Sequence, residues 1–344
     1  MHLFGKNLDT EVCVVAEIGV NHEGDVNAAL RMLQLAKQSG ADAAKLQTYT
    51  PERFASANDA DRLKQVTARA LSEADHRQLA REARALDLPL FSTPVTEDVV
   101  ALLAELFPAL KIASGDLDFE PVIRAAAASG RPTMISTGLG TDDEIERAIG
   151  WFADELDDGI DVRDQLILMH CVSAYPTPMD QANVRSVPYL SGRFGLRVGY
   201  SNHVIGPEAV LAAVALGAPV VEVHFTDNKQ GRTFRDHALS CDPEDLSALV
   251  KQVHAVKASL GTFEKRRMPA EEPILWAVRK GLVAAHDLKA GTMLQDADLM
   301  FARPATHFTS SAIGDVTGQV LTVDLKRGET LQPDHLSSDT ASKP

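Results

Sequence analysis

Over its first 260 residues the chain alternates eight short apolar runs with polar turns and segments of helical spacing. The apolar runs lie at 12–16, 43–47, 88–92, 110–114, 132–136, 165–170, 194–200 and 220–225. They are continuous rather than alternating, as expected of parallel strands covered on both faces. Helical segments fall between them at 25–39, 73–87, 96–105, 120–129, 141–156, 206–216 and 243–260. The connection after the sixth run is the least regular, since 175–189 holds three prolines. Several starts carry caps: Ser72-x-x-Asp75, Thr141-x-x-Glu144 and Asp242-Pro243. Eight such units in about 250 residues match a (β/α)8 TIM barrel. An open doubly wound sheet would bring a G-x-G-x-x-G turn after its first strand, and GVNHEG (19–24) is not one.

The pattern stops near residue 263. The stretch EKRRMPAEEP (264–273) is charged and proline-containing, and 264–278 reads as a linker. Beyond it DLKAGTMLQ (287–295) recurs as DLKRGETLQ (324–332), offset by 37 residues. Two copies are too few for a solenoid and predict a small, β-rich, pseudo-symmetric domain over 279–338. A disordered tail is expected at 339–344, and the barrel domain spans 1–263.

A net charge of −14, from 34 basic and 48 acidic residues, argues against a nucleic-acid partner. Three widely spaced cysteines form no disulfide framework. MHLFGKNLDT has no apolar core of a signal peptide, and the longest apolar stretch, 209–223, is broken by Gly217 and Pro219. The expectation is a cytoplasmic protein with no membrane partner.

Barrel active sites sit at the C-terminal ends of the strands. Here those ends are polar: Glu17, Lys45 and Gln47, then Thr93, Ser114 and Asp116. Ser136, His170, Ser201, His203 and His224 continue the series. His203 and His224 end adjacent strands, close enough to share a divalent metal; two unrelated rim residues is the other reading. Glu17 and Lys45 sit in apolar strands, so each needs a partner, either in a structural ion pair or in a site for an anion. His22 and Glu23 read as a tight loop entering a helix. His170 and Cys171 read as core-facing, and His237 as a neighbour of a functional Asp236.

The chain resembles the sialic acid (N-acetylneuraminate) synthase family nearly end to end. The matching motifs are AEIGVNHEGD (16–25), AKLQT (44–48), FSTP (91–94), KIASGD (111–116), STG (136–138) and HCVSAYPTP (170–178). GYSNH (199–203), HFTD (224–227), DHALS (236–240) and ARP (302–304) complete the series. The C-terminal repeat is similar to the family's SAF, or antifreeze-like, domain.

The resemblance implies an enzyme that condenses phosphoenolpyruvate with an N-acylated mannosamine-type sugar, giving a 3-deoxy-nonulosonic acid and phosphate. It implies a divalent metal, typically Mn²⁺, with Mg²⁺ or Co²⁺ as alternatives, held by His203 and His224. It implies Glu17 as general acid/base and Lys45, Thr93, Ser114, Ser136 and Ser201 as phosphoenolpyruvate-binding residues. Gln47, Asp116, Tyr175 and Asp236 match positions lining the sugar site. Arg303 matches an arginine contributed by the partner chain of a domain-swapped homodimer.

Departures fall around the acceptor. Asp116 stands where Glu is common, Ser173 where Asn is common, and Val223 where a basic residue is common. GRTFRDHALS (231–240) replaces a pattern nearer GPDHALS, which adds Arg232, Phe234 and Arg235 beside Asp236, and Arg279 lies where some members have an aromatic residue. Legionaminic, pseudaminic and octulosonate-type products are therefore alternatives, as is a phosphorylated acceptor. A non-catalytic carbohydrate-binding protein is the remote alternative. The insertion at 53–71 is expected to form a mobile lid or helix over the site.

Overall fold

The computed structural model describes residues 1–337 of the 344, so the 339–344 tail lies outside the described residues. The chain divides into two compact units, Met1–Gly261 and Thr262–Pro344.

In the first unit a short hairpin, His2–Leu3 with Lys6–Asn7, precedes eight parallel strands. These are β1 (Cys13–Gly19), β2 (Ala43–Thr48), β3 (Leu90–Pro94) and β4 (Leu110–Ile112). They continue as β5 (Thr133–Ser136), β6 (Leu166–His170), β7 (Arg197–Asn202) and β8 (Val220–His224). Each pairs with the next, and β8 pairs back to β1 from Val220↔Cys13 to His224↔Glu17, closing a TIM barrel. Burial on both faces explains the unbroken apolar runs: every residue of β1, β3 and β8 is buried.

The outer helices are α1 (Val26–Gln38), α2 (Ala60–Arg69), α3 (Glu73–Ala85), α4 (Val100–Leu106) and α5 (Glu120–Ala128). They continue as α6 (Asp142–Ala153), α7 (Ser186–Phe194), α8 (Glu208–Ala215) and α9 (Pro243–Leu260). Ser72, Thr141 and Asp242 each close a capping box, satisfying donors that a helix start leaves free.

Two strands begin two or more residues later than their apolar runs do. The Leu88 amide still bonds the Ala83 carbonyl of the preceding helix end, so β3 starts at Leu90. Phe194 closes α7 and Gly195 caps it at φ +67°, so β7 starts at Arg197. A helix end and a strand start had merged into one apolar run. The irregular connection after β6 supplies α7, and the 53–71 insertion supplies α2 with a short helix, Pro51–Phe54, before it.

The second unit is built on a two-stranded antiparallel sheet, β9 (Gly281–Ala284) with β10 (Leu299–Ala302). Its core is Leu282, Leu288, Leu294, Leu299, Leu321, Leu325 and Leu331 with Ala284 and Val316. The two repeat copies face each other. Leu288 and Leu325 exchange both backbone hydrogen bonds, at 2.8 and 2.9 Å. Lys289 pairs with Asp324 and Lys326 with Asp287, while each aspartate also accepts an amide of the other copy, from Ala290 or Arg327. The stretch read as a linker is partly helical, at Pro269–Ile274 and Leu275–Val278. It belongs with this unit: the Ala305 amide bonds the carbonyls of Trp276 and Arg279.

Among the described residues no helix is long and apolar enough to cross a membrane.

Candidate active site

The strand ends converge on a cavity of about 310 Å³ at the C-terminal mouth of the barrel. Glu17, Lys45, Gln47, Thr93, Ser114, Ser136, Tyr175, Ser201, His203, His224 and Asp236 all line it. So do Lys111 and Glu222, which sequence reasoning passed over as strand interior. Cys171 also faces this cavity rather than the core, a correction that follows from its place just beyond the end of β6.

At the cavity floor four buried charges interlock. Lys45 Nζ lies 2.9 Å from Glu17 Oε1 and 3.5 Å from Glu222 Oε1, and donates to Thr93 Oγ1 at 3.1 Å. Lys111 Nζ donates to Ser136 Oγ at 2.7 Å and lies 3.8 Å from Glu222 Oε1. Ser201 Oγ donates to that same Glu222 oxygen at 3.1 Å, and Gln47 Nε2 donates to Glu17 Oε1 at 3.0 Å. Burial opposes the charge on Lys45, but Glu17 and Glu222 outweigh it and raise its pKa. Burial likewise opposes the charge on Glu222, yet Lys111 and Lys45 bring it down to about 2. For Lys111 burial wins, and its pKa is lowered. Glu17 Oε2 and Glu222 Oε2 are buried without a hydrogen-bond partner, among the described residues. Unmet acceptors of this kind point to a guest that donates protons.

Gly138 lets three strand ends come this close. A β-carbon there would stand 2.5 Å from Ser173 Oγ, 2.8 Å from Cys171 Sγ and 3.1 Å from Ser114 Cβ. Ser114 and Ser173 bond each other at 2.7 Å.

His203 and His224 hold their rings 5.4 Å apart, with Tyr175 4.2 Å from the former and edge-on to the latter at 6.0 Å. His203 Nδ1 bonds the Val172 carbonyl at 2.7 Å, which makes Nδ1 the protonated nitrogen and leaves Nε2 as a lone-pair donor. Burial, then His224, lowers the His203 pKa to about 3, so the ring is neutral at ordinary pH. Two imidazoles so placed fit a divalent ion that keeps open positions for water or substrate. A protein-only cage does not fit, since no group of three or more His, Cys, Asp or Glu is placed to hold a metal among the described residues.

The model of the NeuB family matches residues 32–265, two-thirds of the sequence. The chain belongs to that family. The SAF domain model matches 279–337 in addition. Within the NeuB family the chain is similar to the N,N'-diacetyllegionaminic acid synthase of Legionella pneumophila, at 33% identity over 94% of each chain. It is 29% identical to a pseudaminic acid synthase of Campylobacter jejuni, over 96% of this chain and 98% of that one. Among solved structures it resembles the N-acetylneuraminic acid (sialic acid) synthetase of Leptospira borgpetersenii, with a TM-score of 0.71 and 30% identity. That match covers 77% of this chain and 90% of the other.

One residue expected in the site stands outside the cavity lining. Asp116 ends the turn after β4 outside the cavity lining, half-buried, where burial and then Asp118 push its pKa up to about 6. Arg303 lies in the second unit, where its Nε donates to the Val278 carbonyl at 2.6 Å. His22, His170 and His237 are structural: the Gly24 amide donates to His22 Nδ1, His170 Nε2 bonds the Ala182 carbonyl, and His237 bonds Thr226 and Glu23. Lys111 and Glu222 had a legible signal. In a strand, every second side chain shares a face, and Glu222 stands two before His224.

Proposed function

We propose that this protein condenses phosphoenolpyruvate with an N-acylated mannosamine-type sugar and water, giving a 3-deoxy-nonulosonic acid and phosphate. The observation that carries the reading is the pair of buried lysines, each tied to a hydroxyl, beside two carboxylates with a free oxygen. Lys45 and Lys111, with Thr93, Ser114, Ser136 and Ser201, form a donor set for the carboxylate and phosphate of the donor substrate. The enol carbon C3 attacks the open-chain aldehyde carbon, the new C–C bond forms, and the aldehyde oxygen takes a proton. Water adds to the resulting cation at C2 and gives up a proton; the C2–O bond to phosphate then breaks as the C2 hydroxyl becomes the ketone, its proton leaving with the phosphate. Glu17, within the cavity and holding one oxygen free, is the group we assign to these proton transfers. Gln47, Tyr175 and Asp236 orient the sugar.

His203 and His224 would hold a divalent ion, Mn²⁺ by preference, whose chemistry is Lewis-acid polarisation of the aldehyde. The protein works as a cytoplasmic homodimer in which Arg303 of the small unit completes the partner's site. Truncation before the SAF unit therefore loses most activity under this reading.

The test is phosphate release from phosphoenolpyruvate with Mn²⁺ and a panel of aldoses. Release with an N-acylated hexosamine is expected; none with any hexosamine overturns the assignment.

A further inference from the structure

A second cavity, about 580 Å³, adjoins the first and shares Gln47, Arg235 and Asp236 with it. Its outer wall is the inserted helix α2, its other wall the 233–236 turn. The helix has its own contacts with the chain just beyond β2. Tyr49 donates its hydroxyl to the Val66 carbonyl at 3.2 Å, and Tyr49, Ala55 and Val66 form a small core of their own. Gly24, at φ +88°, lets the helix end approach: a β-carbon there would stand 2.3 Å from the Ala68 carbonyl oxygen.

The lining is cationic. It carries Arg62, Arg69 and Arg235 against a single acid, Asp236, which pairs with Arg235 at 3.2 Å. Arg62 and Arg69 enter no ion pair among the described residues; both lie on aromatic faces, Arg62 over Phe54 at 5.3 Å and Arg69 over Phe234 at 4.3 Å. Stacking fixes a guanidinium plane and leaves its N–H edge free, the geometry that grips a phosphate or carboxylate with two bonds. It also covers the aromatic faces that an apolar substituent would have used. The fourth arginine nearby, Arg232, is engaged: it bonds Asp227 at 2.7 Å and Glu23 at 3.4 Å, tying down the turn.

We propose that the acceptor sugar carries an anionic group at the end remote from its aldehyde, a phosphate monoester or a carboxylate, and that Arg62, Arg69 and Arg235 bind it. The proposal rests on the condensing-enzyme reading above. The inner cavity, with Lys45 and Lys111, meets the donor's charges; the outer one has charge to spare for the acceptor.

The experiment follows consumption of phosphoenolpyruvate by the full-length protein with Mn²⁺ and three acceptors. These are a neutral N-acetylhexosamine, its 6-phosphate and its uronic acid. A kcat/KM on the order of tenfold or more higher for one charged acceptor is expected, carried by KM and weakened by salt. Which one gains the preference separates phosphate from carboxylate. In Arg69→Met and Arg62→Met the ratio of charged to neutral kcat/KM should fall toward one; being a ratio on one preparation, it is insensitive to partial misfolding. A neutral acceptor used as well as the charged ones, or a ratio unchanged in both variants, overturns the proposal and leaves the condensing reaction standing. No consumption with any acceptor overturns both.

Discussion

Lys45 and Glu17, facing one another across the β1–β2 pair, meet at 2.9 Å with 3% and 1% of their side chains exposed. A surface pair at that distance would be worth little, but here each charge has lost its water and depends on the other. Lys45→Met should therefore lower stability by about 3–5 kcal/mol, read from urea unfolding, because Glu17 loses the cation that pairs it and Glu222 is left with Lys111. Glu17→Gln keeps the shape and removes the proton acceptor, so its loss should appear in turnover, on the order of 10²-fold or more, with a smaller change in stability. Turnover within threefold of the parent would remove Glu17 from the chemistry.

Replacing His224 tests the metal assignment without an activity assay. Metal analysis after dialysis should find one divalent ion per chain in the parent and a large loss in His224→Ala, and also in His203→Ala. Equal content in all three proteins would place the ion elsewhere.

His203 makes stability of the metal-free protein depend on pH. Its pKa is depressed to about 3 against an ordinary 6.5, so between these values the unfolded chain binds the extra proton. Stability is then complete above about pH 6.5 and falls as pH is lowered toward 3. At pH 5 the loss from this one ring is about 2 kcal/mol, readable as a lower urea midpoint. His22, lowered to about 4 by burial and by His76, adds a second contribution of the same sign. His203→Asn should flatten part of the slope; an unchanged slope would contradict the neutral, buried ring.

Gly138→Ala adds one methyl group at the point where Ser114, Cys171 and Ser173 crowd together. Relief requires the cavity-lining hydroxyls to move, so activity should fall more than stability, with KM for phosphoenolpyruvate rising. An Ala variant indistinguishable from the parent would mean that this wall yields freely.

The barrel and most of its mouth were legible in the sequence because both follow from periodicity. Strands buried on both faces leave unbroken apolar runs, and the polar residues that end those runs are the ones the barrel gathers at one rim: Glu17, Lys45, Thr93, Ser136, Ser201, His203 and His224. Lys111 and Glu222 escaped because each sits inside a run, and run-based reading ignores which face a side chain takes. Asp116 reads as a strand-end residue but belongs to the turn beyond, where the chain has already left the cavity. The arginines of α2 had no signal at all in a strand-end argument, since the insertion that carries them is a feature of one loop and not of the repeat.

The small unit has its own logic. Each repeat copy leaves its strand bridge, its aspartate and its lysine unmatched until the other copy arrives, and the two exchange these partners symmetrically. Half of the unit is thus an incomplete object. It cannot be trimmed or shortened by degrees, so variation in this unit should come as matched changes in both copies, such as a charge swap at Asp287 answered at Lys326.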